Sequence, residues 1–189
     1  ILWYSNDAVV TNNDFDRNRY GMHLMFSDRA VIENNSFDGN TIGLYVMYSR
    51  DIRIVGNSLS NNVGATGGGL GMKDVDGALI EGNRFINNQT GLQVDTSPRE
   101  PNVVNYIVGN VFAFNDIGIA FQPAVRNNTV VDNAFIDNNE HVSLMGRGKL
   151  DGVTWAQDGR GNYWSDYAGF DADGDGVGDL PYVSRQLFE

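Results

Sequence analysis

Apolar and polar positions recur along the chain in one pattern. The motif Asn-x-Phe/Leu-x-x-Asn occurs six times, at Asn13/Asn18, Asn35/Asn40, Asn57/Asn62, Asn83/Asn88, Asn110/Asn115 and Asn133/Asn138. Its first asparagines are spaced 22, 22, 26, 27 and 23 residues apart. Three residues before each stands Val10, Ile32, Ile54, Ile80, Ile107 or Val130, and two after it Phe15, Phe37, Leu59, Phe85, Phe112 or Phe135. A glycine three residues beyond the second Asn (Gly21, Gly43, Gly91, Gly118) opens a run such as Leu44-Tyr45-Val46-Met47. Alternation of this kind is the period of a strand with one buried face. The positions beginning at Met22, Leu44, Leu70, Leu92, Ile119 and Val142 then point inward.

Strands this short cannot bury a face alone, but stacked coils about 4.8 Å apart share one core. The pattern therefore predicts an all-β fold, a right-handed parallel β-helix of about six coils over residues 1–147. Asn13, Asn35, Asn57, Asn83, Asn110 and Asn133 are its structural ladder, because Asn tolerates left-handed corners and passes side-chain amide bonds between coils. A β-sandwich with Asn-rich turns is the competing fold. Residues 148–189 read as a C-terminal cap, with Trp155, Tyr163, Trp164, Tyr167 and Phe170 in a Gly/Asp-rich stretch suited to covering the last coil. The two long intervals contain Gly64-Ala65-Thr66-Gly67-Gly68 and Ser97-Pro98-Arg99-Glu100-Pro101, which are expected to protrude as loops.

Composition narrows the partners. Of 189 residues, 24 are acidic and 13 are Lys or Arg, giving a net charge of -11 with no basic cluster. Nucleic acid and anionic membrane are therefore poor partners. No apolar run approaches the roughly 18 residues of a membrane span. Cysteine is absent, so thiolate sites and disulfides are excluded. The chain begins inside a repeat at Ile1 and shows no leader, and is expected to be a piece of a longer protein.

Two segments carry candidate chemistry. Asp171, Asp173, Asp175 and Asp179, with a Gly176 turn, have the spacing of positions 1, 3, 5 and 9 of a calcium loop. Tyr182 stands at the twelfth position, where a bidentate carboxylate is expected, so a further ligand such as Asp166 would be needed. The alternative there is an unliganded Asp/Gly turn. His141 takes the place of the strand-opening glycine and reads as the fraying of the last coil rather than as a ligand.

The string Gly161-Asn162-Tyr163-Trp164-Ser165-Asp166-Tyr167, followed by the Asp-rich run to Tyr182, resembles the end of the β-helix domain of NosD-type proteins. Gly21-Met22-His23-Leu24-Met25-Phe26-Ser27 and Gly43-Leu44-Tyr45-Val46-Met47-Tyr48-Ser49 resemble coils of the same family, so the likeness covers nearly the whole chain. It implies a periplasmic or otherwise extracytoplasmic, non-enzymatic accessory protein. Such a protein works with the membrane subunit of an ABC transporter and a copper chaperone to load copper into nitrous oxide reductase. Family members continue past this point into a segment that reaches the transporter.

The residues themselves offer a copper site. Met25 and Met47 occupy equivalent, outward places on adjacent coils, with His23 two positions back on the same face. Thioether and imidazole are the soft ligands for transient Cu(I) where cysteine is lacking. An apolar protein-docking surface is the other reading of the same methionines. The main rival function is a carbohydrate-active enzyme, a lyase or epimerase, which needs clustered outward carboxylates. The outward columns offer only Lys73 beside Asp95, the pattern of a surface ion pair. A surface carbohydrate-binding or adhesion repeat is the third reading.

Overall fold

The computed structural model describes residues 1–64, 66–123 and 125–184. It is a parallel β-solenoid with no helix among the described residues. Three seven-stranded sheets run its length, each coil giving one strand to each sheet. The six-residue strands Tyr20–Met25, Ile42–Met47, Gly68–Lys73 and Thr90–Asp95 belong to the first sheet. Every strand pair in the three sheets is parallel and in register, with Leu44 paired to Leu70 and Leu70 to Leu92.

The apolar columns of the sequence become one core. Phe37, Leu59, Phe85, Phe112 and Phe135 are fully buried, as are Ile32, Ile54, Ile80, Ile107 and Val130. The rings of Phe85 and Phe112 stack at 4.7 Å and those of Phe112 and Phe135 at 5.1 Å, the spacing of the coils. Asparagines line the corners in two ladders. In the first, the backbone N–H and the side-chain amide of Asn57 both donate to Asn83 Oδ1, at 2.9 and 3.0 Å. Asn83 Nδ2 donates in turn to the Ile54 carbonyl at 2.8 Å. Each amide thus satisfies corner groups that stacking would bury without water. The second asparagines, Asn40, Asn62, Asn88 and Asn115, repeat this bonding at the next corner.

The strand-opening glycines have a steric cause. A Cβ on Gly43, Gly69 or Gly91 would sit 2.6–2.7 Å from the carbonyl oxygen of the next coil's glycine. His141 ends that column, in the last strand of the first sheet among the described residues, Glu140–Leu144.

The coil count is seven, against about six expected from the motif. The additional coil is made by Glu140–Leu144, Val153–Thr154 and Tyr163–Trp164. Trp164 pairs with Phe135 and stacks on it at 4.4 Å, and Asn162 extends the first ladder by accepting from Asn133 at 3.0 Å. The segment beyond 148 therefore gives two strands to the solenoid before it becomes irregular. The Tyr182 ring lies on Trp164 at 4.1 Å. Residues 185–189 of the expected cap, and Ala65 of the first insertion, lie outside the described residues.

The second insertion is held down at its start rather than projecting. Ser97 and Pro98 are buried. The carboxylate of Asp76 accepts the N–H groups of Arg99 and Glu100, at 2.7 and 2.9 Å. A carboxylate holding two amide groups fixes the chain at that turn.

Candidate functional site

The outward face of the first sheet gathers the soft donors. Alternation buries Met22 and Leu24 and turns His23 and Met25 out; on the next coil it buries Leu44 and Val46 and turns out Tyr45 and Met47. Met25 and Met47 are register partners, so their backbones lie about one ladder step, 4.8 Å, apart. Both are half-buried rather than fully exposed, flanked along their column by Trp3 and Lys73.

His23 stacks against the Tyr20 ring at 5.3 Å and meets the Tyr45 ring at a tilt of 44°, 5.5 Å between centroids. Its Nε2 is shielded from solvent and has no hydrogen-bond partner. Burial holds the imidazole below its ordinary pKa, which keeps it neutral, with a lone pair available, at pH 7. Tyr45 is in turn seated on Gly71, where a Cβ would fall 2.3 Å from its ring. Burial raises the pKa of the Tyr45 phenol. The donors on this face are soft: two thioethers on register partners, and an imidazole whose Nε2 is buried and unpartnered. The Tyr45–Gly71 seat and the orphaned nitrogen were not legible in the sequence, because both depend on how rings lean between coils.

Lys73 and Asp95 pair on adjacent coils with Nζ and Oδ2 at 3.0 Å. That hydrogen bond raises the Lys73 pKa, so it remains an ammonium ion and not a base. Among the described residues of this face no two outward carboxylates stand on adjacent coils.

The tail carboxylates converge only in part. Ligand oxygens of Asp171, Asp173 and Asp175 lie within 4.8 Å of one another, all exposed. Asp171 already accepts from the N–H groups of Gly174 and Gly176, at 2.7 and 3.0 Å, while Asp179 accepts from that of Ala172 at 2.8 Å. Asp166 does not join them. One of its oxygens meets Nε2 of the buried His141 at 3.1 Å and the other accepts from the Tyr182 hydroxyl at 3.3 Å. Tyr182 thus has an aromatic and a hydrogen-bonding task where a calcium loop would place a carboxylate.

These sheets, ladders and corner asparagines define a single-stranded parallel β-helix. A solved double mutant of the periplasmic alginate epimerase AlgG has the same fold, with a TM-score of 0.56 and 15% identity, over 82% of this chain and 43% of that one. The family model described as "Periplasmic copper-binding protein (NosD)" matches residues 1–169, and the chain belongs to that family. The family is periplasmic, in agreement with the extracytoplasmic location that the resemblance implies. A "Probable ABC transporter binding protein NosD" from Pseudomonas aeruginosa is 44% identical over 78 residues, covering 41% of this chain and 18% of the relative. The protein of the same description from Stutzerimonas stutzeri is 38% identical over 78 residues, 41% of this chain and 17% of the relative. The matched stretch is thus less than a fifth of either relative's length.

Proposed function

We propose that the chain is the β-helix portion of a non-enzymatic periplasmic accessory protein that assists copper-site assembly in nitrous oxide reductase, working with an ABC transporter and a copper chaperone. The observation that carries this reading is the family match over residues 1–169. The outward face supports it, since it offers Met25, Met47 and a neutral His23 but no carboxylate pair for sugar chemistry. In this reading Met25 and Met47 hold Cu(I) transiently while the chaperone docks over the same half-apolar surface, and His23 supplies a third donor. The tail is read as a calcium loop of Asp171, Asp173, Asp175 and Asp179, separate from the copper surface.

Competition for Cu(I) against a chromophoric chelator tests the site. Weak binding is expected, and Met25→Leu combined with Met47→Leu should remove it while leaving the melting temperature unchanged. Copper binding that persists in the double variant would eliminate the site. Absence of copper binding in the parent, with chaperone docking impaired in the variant, would leave the methionines as an apolar contact alone.

A further inference from the structure

The methionine pair has an aromatic neighbour at its head. In the first sheet Trp3 is the register partner of Met25, and Met25 that of Met47, so the outward column runs Trp3, Met25, Met47 and then Lys73. Trp3 is 62% exposed. On the far side of the pair the Lys73 ammonium is held by Asp95 at 3.0 Å. The thioethers are thus bordered by an uncharged π surface at one end and by an ion pair at the other.

Neighbouring rings show which way the indole faces. At the corner after the first sheet Tyr4, Phe26 and Tyr48 form an aromatic ladder, stacked coil upon coil at 5.1 Å and 12° and at 5.0 Å and 13°. Rings stacked from one coil to the next turn their faces along the axis of the solenoid. The Trp3 ring lies at 12° to that of Tyr4, with 5.9 Å between centroids, so it shares this orientation. One face of the indole is thereby directed along the column, towards the coil that carries Met25.

The face of an indole carries negative charge density and attracts a cation within about 6 Å of the ring centroid, more strongly than Tyr or Phe does. One ladder step of about 4.8 Å puts an ion held by Met25 inside that range. Two thioethers and an imidazole leave one side of a cuprous ion open. A π surface closes that side without adding the oxygen or nitrogen ligands that divalent copper and zinc favour. We propose that Trp3 is a specificity-determining residue of the copper surface, its indole face capping a soft monovalent cation seated on Met25 and Met47. The inference rests on the copper reading of the two methionines and adds to it the ion's fourth neighbour and the source of its selectivity.

Tryptophan emission is the readout. Of the three tryptophans, Trp155 and Trp164 pack together at the opposite end of the solenoid, with ring centroids 6.1 Å apart, whereas Trp3 stands in the first coil. Titration with Ag(I), and with Cu(I) buffered by a chromophoric chelator, should quench the emission of Trp3. Trp3→Phe should abolish the quenching, and so should the Met25→Leu, Met47→Leu double variant. Trp3→Leu should weaken Cu(I) binding about fivefold or more, with Trp3→Phe losing less. Zn(II), which shares the closed d-shell but carries two charges, should neither quench nor compete. Melting temperatures identify any variant that fails to fold. Cu(I) binding that depends on Met25 and Met47 but leaves the emission and the Trp3→Leu affinity unchanged would overturn the cap and leave the copper reading standing. Absence of Cu(I) binding in the parent would overturn both. A lowered melting temperature in Trp3→Leu with unchanged copper affinity would reduce the indole to a sulfur–aromatic contact with Met25 and likewise overturn the proposal. Quenching by Zn(II) as strong as by Ag(I) would overturn the selectivity.

Discussion

His23 shows how much a single residue's role depends on its neighbours in adjacent coils. The sequence places it on the outward face beside Met25, yet Tyr20 and Tyr45 cover the ring and leave Nε2 buried and unpartnered. The consequence is a pH dependence of known sign. The folded pKa lies below the ordinary 6.5, so the unfolded chain takes up a proton first as pH falls. Stability should therefore be full above about pH 6.5 and decline from there through the folded pKa. Chemical denaturation between pH 8 and pH 5 should show this loss, and His23→Gln should flatten it. An identical pH profile in the variant would mean that the imidazole is not shielded. The candidate copper donors were legible in the sequence as types and register; the shielding was not, because it arises from Gly71 accepting the Tyr45 ring one coil away.

At the scale of strands and turns, most of the fold could be read directly. Asparagine, glycine and aromatic columns each have a local cause that recurs every coil, so six copies reveal one register. The seventh coil escaped because Asn162 follows Asn133 after 29 residues and Trp164 replaces Phe, although Asn162-Tyr163-Trp164 keeps the motif's spacing. Phe85 tests the register. Buried between Leu59 and Phe112, it should not tolerate Phe85→Asp, which places an unpaired charge in the core at a cost of several kcal/mol, on the order of total stability. Gln93→Asp, on the outward face, should shift the melting temperature little by comparison. Equal tolerance of both changes would refute the register. The tail loop makes a separate prediction. If Asp171, Asp173, Asp175 and Asp179 take calcium, millimolar Ca²⁺ should raise the melting temperature through linkage, and Asp173→Ala should abolish the rise. A melting curve indifferent to calcium would return the segment to a turn held by its own amide groups.

At the scale of the whole molecule, the stacked coils of the three parallel sheets offer several chemically distinct surfaces. The same sheet and corner geometry presents soft donors on one face, an aromatic ladder at the following corner and an acidic turn beyond the last coil. A fold shared with a sugar epimerase at 15% identity leaves the choice of function to those surfaces. The most direct measurement of the account is the copper content of nitrous oxide reductase purified from the native host. Deleting the gene for this protein should yield reductase that is folded but depleted of copper, and the parent gene should restore it where the Met25→Leu, Met47→Leu version does not. Fully loaded reductase from the deletion strain would contradict the central claim.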